Sequence, residues 1–214
     1  VPTSWFDAFE RAAQGLSAAG KGKVGFLPGG RLTFEDAYAW SKFARVVCGT
    51  NDIDQRTRTA GREEESFLGA YFAGAGMPVT YDDLEKAGQV LLVGFEPEDE
   101  CGAVFLRLRK GVRNGSVKVA TVAPFASPSS VKTAATVLFA APGTEPEVVA
   151  NVKADAEGDF GAVFAGLKDE GAVIVVGERA GIVPGLLSAV NHLAARSGAR
   201  LAWIPRRSGE RGGV

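Results

Sequence analysis

The stretch Gln89–Glu100, QVLLVGFEPEDE, decides the fold. Val90, Leu91, Leu92 and Val93 form an unbroken apolar run. A run that short, bounded by turn residues and rich in valine, reads as a strand buried on both faces. Such strands belong to parallel sheets covered by helices. Gly94 ends the run, Pro97 prevents it from continuing, and Glu96, Glu98, Asp99 and Glu100 lead into a helical pattern. In an open α/β sheet, ligands bind where loops leave the carboxyl ends of strands. The Gly94–Glu100 loop is therefore the first place to expect a site, living or former. A second run of the same kind, AVIVV at Ala172–Val176, ends in Gly177-Glu178 much as the first ends in Gly94 and Glu96.

Outward from these two runs, strands are predicted at Lys23–Leu27, Val117–Val122, Thr136–Ala140 and Arg200–Ile204. Helix starts are marked by Ser4-x-x-Asp7, Thr33-x-x-Asp36 and Thr80-x-x-Asp83. Further helices are predicted over Glu63–Tyr71, Cys101–Arg113, Phe160–Lys168 and Pro184–Arg196. Thr144 and Glu147 predict a capping box for a helix from Pro146. Ala37, Trp40, Ala44 and Val47 recur at helical spacing and predict a core-facing stripe. Strands and helices alternate, which predicts an α/β fold with Rossmann-like, mostly parallel sheets and helices on both faces. Thr50–Arg62 is polar and without period, and its Arg56 and Arg58 are of the type that clamps an anion. Pro205–Val214 is basic, glycine-rich and without a capping signal, and reads as a mobile end cut inside a longer protein. The start at Val1, without an initiator methionine, also suggests a piece of a larger chain.

Composition narrows the function classes. The chain has 214 residues and a formal net charge of −1, so it carries no field suited to nucleic acid or anionic lipid. No apolar stretch reaches the length of a membrane span, and no signal peptide precedes the first helix. Cys48 and Cys101 make no disulfide framework and suggest a cytoplasmic setting. The single histidine, His192, has no second ligand at helical spacing. There is no P-loop or nucleophile-elbow motif. No catalytic residue and no metal ligand is expected.

Several ordered motifs together resemble the molybdopterin oxidoreductase family. Thr33-x-Glu35-x-x-Tyr38, Lys42-Phe43-Ala44-Arg45 and Gly49-Thr50-Asn51-Asp52-Ile53-Asp54 resemble its Asn/Thr-x-Glu-x-x-Tyr, Lys-Phe-Ala-Arg and Gly-Thr-Asn-Asn-x-Asp segments. Leu91–Pro97 resembles its strand and Gly-x-Asn-Pro loop, and Val117–Phe125 its strand and Asp-Pro-Arg loop. Pro142-Gly143-Thr144-Glu145 resembles its Pro-Gly-Thr-Asp. The resemblance implies two lobes: 1–48 with 150–214 as an outer lobe, and 49–149 inserted. It also implies a pterin dinucleotide site at Gly94, Phe95, Glu96, Pro97, Ala123, Pro124, Phe125, Gly143 and Thr144.

The departures fall on the groups that would hold the cofactor. Glu96 stands where the family has asparagine, and Ala123-Pro124-Phe125 where it has Asp-Pro-Arg. A carboxylate beside a pyrophosphate adds like-charge repulsion. The expected site is thus vestigial: a crevice between the Gly94–Glu100 and Ala123–Pro128 loops, bordered by Thr50–Arg62 and partly filled by Phe95 and Phe125. One branch of the family fits that pattern, the large iron–sulfur subunits of actinobacterial-type NADH–quinone oxidoreductase, respiratory complex I. Leu27–Thr33, Val93–Glu98, Phe105–Lys110, Val176–Arg179 and Arg200–Arg207 carry that likeness. It implies a domain without cofactor of its own and partners among the other peripheral-arm subunits, on the cytoplasmic face of the membrane and without membrane insertion. It also places iron–sulfur clusters in a preceding part of the parent chain. Two alternatives remain open: a fragment of a true molybdopterin enzyme of the formate dehydrogenase or nitrate reductase type, holding molybdopterin guanine dinucleotide, and an unrelated Rossmann-like nucleotide-binding module.

Overall fold

The computed structural model describes residues 2–55 and 61–214. The chain divides into two compact units, Ala60–Arg206, and Val1–Thr59 with Arg207–Val214.

The larger unit is an α/β layer structure. Its strands are β1 (Gly88–Val93), β2 (Val117–Ala123), β3 (Thr136–Phe139), β4 (Val173–Gly177) and β5 (Arg200–Ile204). They form one parallel sheet in the order β3-β2-β1-β4-β5, so the two apolar runs lie side by side at its centre. Val90 pairs with Val173, Leu91 with Ile174, Leu92 with Val175 and Val93 with Val176. Successive side chains point to opposite faces, and the two faces collect separate cores. Leu91, Val93, Ile174 and Val176 join Phe67, Leu68, Leu167, Leu186 and Val190 on one side. Val90, Leu92, Val173 and Val175 join Leu84, Val104 and Leu108 on the other.

The helices that supply these covers are predicted by their own caps and stripes. In order along the chain, the helices of both units are α1 (Trp5–Ala19), α2 (Phe34–Phe43), α3 (Arg62–Tyr71), α4 (Tyr81–Glu85), α5 (Pro97–Glu100), α6 (Gly102–Arg113), α7 (Pro128–Lys132), α8 (Glu145–Ala150), α9 (Gly158–Leu167), α10 (Leu186–Ser197) and α11 (Ser208–Gly213). Ser4, Thr33 and Thr80 each accept the backbone N–H three residues on, and Thr80 with Asp83 completes a capping box. The capping box expected at Thr144 does not form. Its hydroxyl donates backwards to the Ala141 carbonyl at 2.9 Å and is not available to the helix.

The two-lobe division expected from the family resemblance is corrected here. Residues on both sides of 149/150 share one sheet, because the apolar runs Val90–Val93 of β1 and Val173–Val176 of β4 are buried and each satisfies one edge by pairing with the other. Among the described residues the smaller unit contributes no strand to that sheet. Lys23–Leu27 makes only a single parallel bridge, Phe26 with Ile53: Phe26 N–H donates to Asp52 O at 2.8 Å and Asp54 N–H to Phe26 O at 3.0 Å. Pro28 has no N–H to extend the ladder, and Gly25 on the other side favours a weak strand.

Around that bridge the small unit has a correspondingly small core of Phe26, Ala44 and Cys48. The stripe predicted on α2 is also altered. α2 continues into a π-helical turn, Ala44–Cys48, in which Gly49 N–H reaches back to Ala44 O. The wider turn rotates the register, so Cys48 is buried in place of Val47, which is 61% exposed. The end 205–214 is not a loose tail: α11 lies against α2 and buries Gly209 and Glu210, and a Cβ at Gly212 would collide with the Phe34 carbonyl. Of the Thr50–Arg62 loop, residues 56–60, including Arg56 and Arg58, lie outside the described residues.

Both cores can be probed separately. Ile174→Ala, at a fully buried central position, lowers unfolding free energy in urea by about 2–5 kcal/mol. Deleting 208–214 raises amide hydrogen exchange in α2, while exchange in β1 and β4 stays as in the intact chain.

Candidate functional site

In the order β3-β2-β1-β4-β5 the side to which successive strands are added switches between β1 and β4. This is the topological switch point, where open α/β sheets place ligands. Two loops leave the sheet there, Gly94–Glu96 after β1 and the 3₁₀ turn Glu178–Ile182 after β4. They touch backbone to backbone. Gly94 has φ +60°, and a Cβ on it would lie 2.5 Å from the Ala180 nitrogen and 3.0 Å from the Ala180 Cα. A Cβ on Gly177 would run into the Gly94 carbonyl and come within 2.9 Å of Phe95 Cβ. Only glycine permits this approach.

Phe95, 4% exposed, turns beneath the loop and joins Val90, Leu92 and Leu108 in the core. Pro97 is buried at the start of α5. Between and after them lies an acidic rim whose charges are mostly taken up locally. Glu100 accepts the Glu96 N–H at 2.9 Å and pairs with Arg179 at 2.8 Å, and Glu98 pairs with Lys132. The Glu96 Oε1 atom is shielded from solvent with no hydrogen-bond donor against it among the described residues.

Ala123 ends β2 with Pro124 and Phe125 after it, and Gly143 and Thr144 follow β3, at the same carboxyl edge of the sheet. The structure brings Gly94, Phe95, Glu96 and Pro97 to the switch point and leaves the other five on the loops of the outer strands. Phe125 corrects the expectation that it fills a crevice with Phe95: it is 64% exposed, because the chain after Ala123 turns outward through Pro124 to the cap of α7 at Ser127. Gly143 N–H donates to Glu145 Oε2 at 2.7 Å. That anion-binding N–H therefore already has a carboxylate.

The start of α10 at this edge is occupied in the same way. Glu63, on α3, accepts the Gly185 N–H at 2.8 Å and both the N–H and hydroxyl of Ser188 at 2.7 Å. A helix N-terminus is a natural seat for an anion, and here the chain supplies the anion itself. Burial works to raise the Glu63 carboxyl, but the bonds from the Ser188 hydroxyl, Gly185 N–H and Ser188 N–H outweigh it and hold the pKa below the ordinary value. In the sequence Glu63 marks only the start of a predicted helix. Its partners are over 120 positions away, so no local pattern could reveal them.

At the opposite, amino edge of the sheet lies a cavity of about 760 Å³ lined by Ser116, Lys118, Thr136, Asp159 and Asp169 among others. The Ser116 hydroxyl is already committed to the Glu85 and Gly111 carbonyls. No group of three or more His, Cys, Asp or Glu side chains is placed to hold a metal among the described residues. His192 stands exposed on α10.

Because the folded carboxyl of Glu63 titrates below its unfolded value, its contribution is present above the unfolded pKa and is lost as pH falls through the folded one. Glu63→Gln therefore lowers unfolding free energy at pH 7 by about 1 kcal/mol, the usual worth of a helix cap. The gap between variant and wild type closes as pH drops through the acid range, read by urea denaturation at stepped pH.

Comparison with known proteins places this geometry. The family model described as molybdopterin oxidoreductase matches residues 1–194. The chain is similar to the NADH-quinone oxidoreductase G subunit of Mycobacterium bovis, 54% identical over all of this chain and 26% of the relative. It is 50% identical to the G subunit of Streptomyces coelicolor, over all of this chain and 27% of that one. The F420-dependent formate dehydrogenase alpha subunit of Methanocaldococcus jannaschii is 30% identical over 58% of this chain and 18% of its own length. The chain thus spans about a quarter of the length of the two actinobacterial relatives. Among solved structures, a chain of the formyltransferase/hydrolase complex of Methylorubrum extorquens, solved with methylofuran, superposes with a TM-score of 0.57 at 19% identity, covering 95% of this chain and 58% of that one. At that identity the match speaks for the α/β fold alone. With nine-tenths of its length matched by the family model and half its residues shared with the two actinobacterial relatives, this chain belongs to the molybdopterin oxidoreductase family.

Proposed function

We propose that this chain is a structural domain, without a pterin cofactor of its own, of the large iron–sulfur polypeptide in an NADH–quinone oxidoreductase. In this reading it supports electron transfer carried out elsewhere in the complex. The observation that carries the reading is the closed switch point, where Gly94, Gly177 and Ala180 bring two loops into backbone contact. A bound dinucleotide needs that space and needs free donors for its pyrophosphate. The residues present do not fit one. The donors at the start of α10 and at Gly143 are taken by Glu63 and Glu145, and Glu96 adds negative charge where the family has an amide.

The same reading puts iron–sulfur clusters outside residues 1–214. Buried Cys48 and half-buried Cys101 fall short of the four thiolates a cluster takes. The partners would be other subunits of the peripheral arm, at the cytoplasmic face of the membrane. Among the described residues no helix is long and apolar enough to cross a membrane. The competing reading, a piece of a pterin-dependent enzyme, draws on the formate dehydrogenase relatives at about 30% identity.

The two are separated by calorimetric titration with guanosine diphosphate and molybdopterin guanine dinucleotide at low salt, where attraction to charge is least screened. No binding up to millimolar ligand is expected, and micromolar affinity for either would overturn the proposal. Glu96→Asn with Phe125→Arg restores two family side chains. It should gain no better than millimolar anion binding, because the backbone contact at Gly94 and Gly177 remains and side chains alone do not rebuild a pre-organised site.

A further inference from the structure

The smaller unit presents an apolar surface that its own core covers only in part. α1 is 15 residues long and amphipathic, yet none of its residues is buried. Trp5, Phe6 and Phe9 are 79%, 76% and 67% exposed, and Leu27 is 83% exposed. Between α1 and α2 runs a groove of about 940 Å³, walled by Phe9, Leu16, Phe26, Leu27, Trp40 and Phe43, with Asp36 its one charged wall. Exposed aromatic and aliphatic side chains gathered on one face, as here, are the kind of surface that binds another segment. The groove's α1 wall runs from Phe9 to Leu16 and its α2 wall from Asp36 to Phe43, each about 11 Å long, so the groove can seat about two turns of a second helix.

We propose that this groove is the seat of an amphipathic helix from the remainder of the same, longer polypeptide, with its apolar anchors between Phe9 and Trp40 and a basic side chain at Asp36. The inference rests on the reading of the chain as part of a large NADH–quinone oxidoreductase polypeptide. Two observations choose this occupant. The relatives that match the whole chain at 50–54% identity continue for about three times its length beyond the matched part, so a covalently attached source of such a helix is at hand. The small unit holds roughly 70 residues, and among the described ones its core cluster is three buried apolar side chains with Leu16, Val24, Phe43 and Ile53 partly buried against them. A core of that size supplies little stability by itself and needs a permanent cover, which an attached segment provides at high effective concentration.

The test places a photo-crosslinking amino acid at Phe9 or at Leu27 in the native full polypeptide. Both positions are exposed, so the substitutions leave the core intact. Intact mass of the native polypeptide is read first. A mass near 22 kDa would remove the large-polypeptide reading and this proposal with it. With a longer polypeptide, the expected product is an intramolecular crosslink to a helical segment outside residues 1–214. Amide exchange in α1 should be at least tenfold slower there than in the isolated chain. Crosslinks to residues 61–206, to a second copy or to another subunit would overturn the groove assignment alone. So would an absence of crosslinks with equal exchange in both forms.

Discussion

The pairing of β1 with β4 is the constraint on which the larger unit depends. Leu91 and Ile174 face each other with no exposed surface, and so do Val93 and Val176. Strands sealed on both faces cannot hand their backbone N–H and C=O groups to water, so each must find a strand on either side. β2 completes the other edge of β1, and β5 the other edge of β4. Parallel neighbours require crossovers, which are the helices that build the two covers. Each fully buried Leu or Ile there contributes about 2 kcal/mol or more of apolar transfer.

From that pairing the chemistry of the carboxyl edge follows. Two strands side by side release their following loops side by side. Whether a ligand fits is then decided by how far the loops part. Here glycine at 94 and 177 lets them meet, and Phe95 is drawn below into the core instead of standing at the rim. The anion-binding backbone nearby has been given carboxylates from within the chain. Glu63 at α10 is held by three hydrogen bonds, and Glu145 answers the Gly143 N–H. Charge-assisted bonds of this kind are stronger than neutral ones. A competing phosphate would have to displace them.

The smaller unit is built the opposite way. Its bridge at Phe26 and Ile53 closes only one ladder position, and its core of Phe26, Ala44 and Cys48 leaves the aromatic faces of α1 and α2 in solvent. α11 compensates by close backbone approach at Gly212, where helix and helix are brought nearer than side chains would allow.

The sequence by itself determined the elements that rest on local chemistry. The runs at Val90 and Ala172, the caps at Ser4, Thr33 and Thr80, and the strand–helix alternation all act within a few residues, and the sheet is built from them. The family motifs were legible for the same reason, and so were the residues that depart from them, Glu96 and Ala123-Pro124-Phe125. Only the tertiary structure decided that both runs share one sheet, because strand order is settled by which edges find partners across roughly 80 residues of chain. It alone placed Glu63 at α10, set Phe95 inward and Phe125 outward, and shut the switch point at Ala180. Those outcomes depend on distances between segments remote in sequence, and no residue's own type or local spacing encodes them.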